Sequence, residues 1–364
     1  MRVTIAVLPG DGIGPEVIAQ AQRVLTLIGE TCGHTFEWRE WPIGAAAIRQ
    51  HDVALPDETL EGCLAADAVL LGAVGDPSAD HLPRPRRPEA ALLVLRQRLG
   101  AFANLRPART YAALIDATPY RPETVAGADL LIVRELLGGL YYGEPRRLTA
   151  DAAENTMRYT RDEIVRVARV AFEQARHRRG LLTSVDKANV LETSQLWRTT
   201  VTDLAHDYPD VRLEHMYVDA CAMRLALQPT HFDVIVTENL FGDILSDQAA
   251  AVAGSIGMLP SASIGGRIGL YEPVHGSAPD IAGRNCANPL GAIGSVAMLL
   301  RHTAGLTREA DFVEDAIAAV LDAGLRPQDL ARMGRYAAST TEVGEAVVRA
   351  LEELIDRQHA YHAV

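Results

Sequence analysis

The sequence predicts an α/β fold with a largely parallel sheet. Two observations carry this reading: short apolar runs alternate with helical stretches along the chain, and a glycine-rich turn links the first run to the helix after it. Val3 to Leu8 reads as a buried strand, followed by Pro9-Gly10-Asp11-Gly12-Ile13-Gly14. Val17, Ala21, Val24, Leu25 and Ile28 then recur at helical spacing, with Pro15 suited to a first helical turn and Glu16 to its positive end. Ala68 to Leu71 and Asp129 to Val133 read as further strands. Residues 160–179 predict a helix with Ile164, Val167, Ala168, Ala171 and Ala175 on one face and Gly180 as its stop. Ser184-Val185 runs into Asp186-Lys187 at a strand end, Phe232 to Thr237 is a strand, and a helix is expected to begin near Gly242. Residues 260–289 are rich in Gly and Pro with little periodicity, and read as one long functional loop.

The 364 residues allow one large or two ordinary domains, and 48% hydrophobic with 23% charged content is that of a globular protein. A net charge of −12 repels phosphate backbones, which disfavours a nucleic-acid partner. No apolar run approaches the roughly 18 residues a membrane span needs, and the first residues lack a secretory apolar core and cleavage site. The expectation is a cytoplasmic protein with a small-molecule substrate and no membrane partner. Cys32, Cys63, Cys221 and Cys286 lie far apart without zinc spacing, and are expected as four buried free thiols.

Several stretches carry chemistry. Gly10, Gly12 and Gly14 spell GxGxG, not the dinucleotide GxGxxG fingerprint, so this turn alone does not predict a Rossmann unit. Glu89, Leu92, Leu93 and Arg96 share one helical face, which suits either a core-facing helix with a salt pair or a ligand surface. Arg96, Arg106 and Arg134 are three guanidinium groups able to clamp a di-acid, although each alone reads as a surface residue. Asp243 and Asp247 stand i, i+4 on a helix. Like charges so placed cost roughly 0.2–0.5 kcal/mol, a penalty that a divalent cation would remove; helix-dipole compensation is the competing account of Asp243. Asp219 precedes a helical stretch, as an N-cap or a ligand. Lys187 at a strand end suits a general base, and Tyr141 in a glycine-rich aromatic segment suits an acid, unless both are surface residues.

Five stretches stand in order: Leu8-Pro-Gly-Asp-Gly-Ile-Gly-Pro-Glu16, Phe102-Ala-Asn-Leu-Arg-Pro107, Ser184-Val-Asp-Lys-Ala-Asn-Val-Leu191, Asn239-Leu-Phe-Gly-Asp-Ile-Leu-Ser-Asp247 and His275-Gly-Ser-Ala-Pro-Asp-Ile-Ala-Gly283. Together they resemble the isocitrate/isopropylmalate family of metal-dependent β-decarboxylating dehydrogenases, almost end to end. The resemblance implies a two-domain α/β fold distinct from the Rossmann fold. Residues 1–101 plus 254–364 would bind cofactor, and residues 102–253 would carry substrate, metal, dimer contacts and a dimer arm near 138–159. It implies that Arg96, Arg106 and Arg134 hold the carboxylates of a malate core, with Asp219 against the substrate. Asp219, Asp243 and Asp247 would ligate Mg²⁺ or Mn²⁺, and Tyr141 and Lys187 would be acid and base. Lys187 and Asp219 would enter from a partner subunit, giving a homodimer with shared active sites.

NAD is the implied cofactor, held by Ile13, Glu89, Asn189, Glu272, His275, Gly276, Ser277, Ala278, Asp280, Ile281 and Asn288. Asp280-Ile281 matches the NAD-using pattern, in which a buried carboxylate would repel the extra phosphate of NADP. Leu92, Leu93 and Val190 match apolar recognition of an isopropyl group, so the implied reaction converts 3-isopropylmalate to 4-methyl-2-oxopentanoate, a leucine precursor. Leu137 and Leu290-Gly291 depart from the usual family residues. They leave room for another 3-alkylmalate, tartrate or isocitrate as substrate, and a non-catalytic regulatory homologue is the rival reading.

Overall fold

The computed structural model describes residues 1–331, 334 and 336–362. The first part of the chain forms β1 (Arg2–Gly10), α1 (Gly14–Cys32), β2 (Thr35–Glu40), α2 (Gly44–His51), α3 (Asp57–Ala65), β3 (Ala68–Ala73) and α4 (Pro88–Leu99). The middle forms β4 (Ala103–Arg109), α5 (Pro122–Val125), β5 (Asp129–Glu135), β6 (Arg146–Leu148), β7 (Ala153–Asn155), α6 (Arg161–Arg176) and β8 (Leu181–Asp186). It continues as α7 (Glu192–Leu204), β9 (Arg212–Tyr217), α8 (Val218–Leu227), β10 (Val234–Thr237) and α9 (Asn239–Ala253). The last part forms β11 (Pro260–Ile264), β12 (Gly269–Pro273), α10 (Leu290–His302), α11 (Thr307–Asp322) and α12 (Thr340–His362).

Ten strands make one sheet in the order β2-β1-β3-β12-β11-β4-β5-β10-β8-β9, while β6 and β7 form a separate antiparallel hairpin. The sheet is parallel on both wings and antiparallel across its middle, where β12–β11, β11–β4 and β4–β5 pair. Helices cover both faces, so β3 and β8 are buried throughout and read in sequence as unbroken apolar-leaning runs. The same burial explains a miss. Residues 260–289, expected as one loop, contain β11 and β12, and the irregular parts are 265–268 between the strands and 274–289 after them. Every residue of β12 and the centre of β11 are buried, so the alternation that announces a half-exposed strand is absent.

Local signals set the helix ends. Thr160 and Glu163 form a reciprocal capping box, so α6 starts one residue after Thr160, and Gly180 closes the helix exit by donating its N–H to the Ala175 carbonyl. The predicted face of α6 is buried as expected. The helix expected near Gly242 begins earlier, at Asn239, because the Glu238 carboxylate accepts from the N–H groups of Leu240 and Phe241. Cys63 and Cys221 are buried and their thiols are pushed up to about 12 by that burial. Cys32 and Cys286 are only half-buried, a correction to the expectation of four buried thiols, and all four are free. Among the described residues no helix is long and apolar enough to cross a membrane.

Candidate active site

Strand alternation puts Asn104 and Arg106 of β4 on one face, and register pairs Asn104 with Arg134 of β5. Helix α9 lies across β4 and β5 on that face. Its close approach depends on Gly242, where a Cβ would stand 2.6 Å from Arg134 Cγ. Arg134 is 2% exposed. Its Nε and Nη2 donate to Asn239 Oδ1 at 3.1 and 2.8 Å, and its Nη1 donates to Asp243 Oδ1 at 2.5 Å. Arg106 donates from Nε to Asn104 Oδ1 at 2.6 Å and from Nη1 to Ser246 Oγ at 2.8 Å. The same Nη1 lies 3.4 Å from Asp243 and 3.3 Å from Asp247. The Tyr141 hydroxyl donates to Asp243 Oδ2. Asn104, Asn239 and Ser246 therefore lock the two guanidinium groups, a role not drawn from the sequence. The signal was there: Asn104 is i, i+2 with Arg106 on a strand, and Asn239, Asp243 and Ser246 are i, i+4, i+7 on a helix.

The electrostatics follow from burial among these charges. Burial pushes the Asp243 carboxyl up, but Arg134, the Tyr141 hydroxyl, Arg106 and Arg96 outweigh it and hold it below its usual range. Asp247 goes the other way, raised by burial and by Asp243 against the pull of Arg106. Burial and the neighbouring Arg134 push Arg106 down to about 10, despite Asp243. Burial and then Asp243 raise the Tyr141 phenol, so it is held protonated. Asp243 and Asp247 present hard oxygen donors on one helical face, which fits Mg²⁺ or Mn²⁺.

Helix α4 supplies a second wall. Arg96 is buried and donates from Nη2 to Glu272 Oε1 at 2.7 Å, while its Nε has no hydrogen-bond partner. A buried guanidinium with an idle donor suits an incoming carboxylate oxygen. Leu92 and Leu93 are half-buried and Glu89 is exposed on the same helix.

The segment after β12 carries most of the residues expected to hold cofactor. His275 and Ser277 are buried, and the buried His275 Nε2 is without a partner, which fits the polar edge of a nucleotide base. Ile13 donates its N–H to the Ser277 carbonyl at 2.8 Å, joining the β1–α1 turn to this segment. Gly276 and Asp280 are exposed, and Ala278 and Ile281 are half-buried. The expectation of a buried carboxylate at Asp280 is thus corrected: it stands on the rim, where solvent solvates it. Asn288 is engaged structurally, accepting from Leu290 N–H and donating to Asp329.

Lys187, Asn189, Val190 and Asp219 stand apart from this cluster. Lys187 Nζ donates to Asp219 Oδ1 at 2.6 Å, and Asn189 and Val190 are exposed on the turn after β8. The cap of α8 is Tyr217, with Asp219 in the first turn, so Asp219 is not an N-cap. Among the described residues, no three His, Cys, Asp or Glu side chains lie close enough to hold a metal. Asp243 and Asp247 are two carboxylates on one helix, and Asp219, the third expected ligand, pairs with Lys187 instead. Met223, Leu227 and Ile244, on α8 and α9, are exposed apolar side chains.

A family model described as isocitrate/isopropylmalate dehydrogenase matches residues 4–347. The chain is 56% identical over 353 residues to the 3-isopropylmalate dehydrogenase of Moorella thermoacetica, covering 96% of this chain and 99% of that one. It is 53% identical over 359 residues to the 3-isopropylmalate dehydrogenase of Aquifex aeolicus, covering 98% and 99%. The fold is similar to that of an isocitrate dehydrogenase from Methylococcus capsulatus, with a TM-score of 0.86, 36% identity and coverage of 96% and 99%. The chain belongs to the isocitrate/isopropylmalate dehydrogenase family.

Proposed function

We propose that the chain is an NAD- and divalent-metal-dependent dehydrogenase that oxidises and decarboxylates 3-isopropylmalate to 4-methyl-2-oxopentanoate, a step toward leucine. The observation that carries this reading is the convergence of Arg106, Arg134 and Tyr141 on Asp243. Two buried cations, a protonated phenol and a metal-type carboxylate within one cluster suit a substrate with two carboxylates and a hydroxyl. Relatives more than 50% identical over nearly the whole chain bear the name of this activity.

Arg106 and Arg134, rigidified by Asn104, Ser246 and Asn239, orient the substrate carboxylates, and the idle Nε of Arg96 adds a third donor. Leu92 and Leu93 face the C3 substituent. Asp243 and Asp247 hold the cation together with a second copy's Asp219, and that copy's Lys187 takes the proton from the C2 hydroxyl. A metal held there would supply polarisation of the C2 oxygen, and NAD⁺ beside the 275–281 segment would supply the hydride acceptor. Loss of CO₂ leaves a carbanionic C3, to which Tyr141 delivers its proton. Residues 1–101 with 254–364, and residues 102–253, act as two domains that close over the substrate and exclude water. The exposed Met223, Leu227 and Ile244 of α8 and α9 supply the apolar dimer contact that brings Lys187 across.

A substrate panel tests the reading: malate, 3-ethylmalate, 3-isopropylmalate, tartrate and isocitrate, assayed for NADH formation with and without EDTA. The expected result is metal-dependent turnover, with kcat/KM rising along the alkyl series by about 10–200-fold per carbon. Isocitrate or tartrate ahead of 3-isopropylmalate overturns the substrate assignment, and full activity after metal removal overturns the mechanism.

A further inference from the structure

Asp11 is 2% exposed, and among the described residues no arginine, lysine or histidine side chain hydrogen-bonds to it; its carboxylate accepts three backbone N–H groups instead. Oδ2 takes Ala45 N–H and Gly75 N–H, both at 2.9 Å, and Oδ1 takes Ala46 N–H at 2.8 Å. Ala45 and Ala46 lie in the first turn of α2, whose N-cap residue, Ile43, has no side-chain cap, so Asp11 caps that helix from another part of the chain. Gly75 opens the segment after β3, and a Cβ there would stand 3.2 Å from Glu89 Oε1 and 3.6 Å from Ser277 Oγ. The flanking glycines make room for this arrangement. A Cβ on Gly12 would meet the Ser277 carbonyl at 1.9 Å, and one on Gly44 would meet Asp11 Oδ2 at 2.3 Å. Both glycines hold positive φ, 56° and 73°.

One carboxylate thus pins the β1–α1 turn, the start of α2 and the exit of β3. Through Ile13 N–H on the Ser277 carbonyl it also fixes the segment after β12 against that turn. We infer that Asp11 is a positioning residue for the dinucleotide: it sets the spacing of Ile13 and Ser277 around the bound cofactor without touching it. The inference rests on the nucleotide assignment of that segment made above. Its consequence is selective. The carboxylate-binding cluster of Arg106, Arg134 and Asp243 hangs on β4, β5 and α9, which Asp11 does not hold.

The test compares Asp11→Asn, isosteric but with one acceptor oxygen turned into a donor, with Asp67→Asn. Asp67 staples the opposite end of the same strand pair, accepting from Thr4 N–H and Thr4 Oγ1 at 2.8 and 2.7 Å. In the full-length chain, the NADH dissociation constant is read by fluorescence, 3-isopropylmalate affinity with Mg²⁺ by calorimetry, and Tm without ligand. Asp11→Asn is expected to weaken NADH about tenfold to a hundredfold, the worth of one hydrogen bond to a charged group, and to leave 3-isopropylmalate within twofold. Asp67→Asn is expected to lower Tm and leave both affinities in place. Should Asp11→Asn not fold, Gly44→Ala presses a methyl group against the same carboxylate and is expected to give the same selective loss. NADH affinity unchanged in whichever of these variants folds, or NADH and 3-isopropylmalate weakened in equal proportion, overturns the positioning role. An unsubstituted chain that does not bind NADH overturns the nucleotide assignment itself.

Discussion

Replacing Asp243 and Asp247 by Asn, one at a time, separates their structural from their metal-binding roles. Asp243 neutralises two buried guanidinium groups: the side chains of Arg134 and Arg106 are 2% and 8% exposed, against 31% for Asp243. Removing one partner of a buried ion pair costs about 3–5 kcal/mol. Here both arginines keep bonds to Asn239, Asn104 and Ser246, which puts Asp243→Asn at the low end, about 3 kcal/mol. Unfolding entropy of about 2.1 cal/mol/K per residue over 364 residues is about 0.8 kcal/mol/K, so Tm should fall about 4 °C. Asp247 has a side chain 55% exposed and among the described residues pairs only with Arg106, at 3.3 Å, a contact worth under about 1 kcal/mol after solvent screening, so Asp247→Asn should move Tm by about 1 °C or less. Calorimetric scans in EDTA should show this contrast. Repeated with millimolar Mn²⁺, the unsubstituted protein should gain stability by mass action and both variants should lose that gain. Equal destabilisation of the two variants in EDTA would refute the role of Asp243 as counter-ion to the arginine pair. A Mn²⁺ shift retained in Asp247→Asn would remove Asp247 from the metal site.

Homodimers of Lys187→Met and Tyr141→Phe should each lose about 10²–10⁴ in kcat, the worth of a positioned proton-transfer group. Mixed after reversible dissociation, they should recover activity if the proposed shared site holds, because a heterodimer would then have one site with both residues intact; no recovery would place both residues in one chain's site. Asp280→Lys with Ile281→Tyr should shift the kcat/KM ratio toward NADP⁺, and an unsubstituted enzyme using both cofactors equally would contradict the role given to Asp280. Leu93→Ala should flatten the alkyl series of the substrate panel, and an unchanged series would take Leu93 out of the pocket. His302 is held down to about 4 by burial and then by Arg301. Its folded pKa thus lies below the unfolded value near 6.5, so stability is full above about pH 6.5 and falls as the pH drops toward 4. Between pH 7 and 4.5 this group should cost about 2.5 kcal/mol, and denaturant titrations of His302→Gln should lose that much less than the unsubstituted protein over the same range.

The sequence by itself determined the elements whose signals are local. The helical face of α6 and its start at Thr160, the β1–α1 turn and the carboxylate pair on α9 are all set by residues a few positions apart, although α6 ends at Arg176, short of the Gly180 stop. The ordered motifs likewise contain Arg106 and Asp243, and the family resemblance they carry implies roles for Arg134 and Tyr141. What the sequence did not carry was pairing across distance. The strands β11 and β12 were hidden because burial on both faces erases the period-two pattern. The antiparallel middle of the sheet depends on which strands neighbour one another, a matter of packing over more than a hundred residues of intervening chain. Asp11 read only as one residue of the glycine-rich turn after β1, since its three partners lie 34, 35 and 64 residues away. Tertiary structure also decided the exposure of Asp280 and the pairing of Arg96 with Glu272, 176 residues apart. A periodicity records which face of an element is apolar; only the folded chain records which charges that burial forces together.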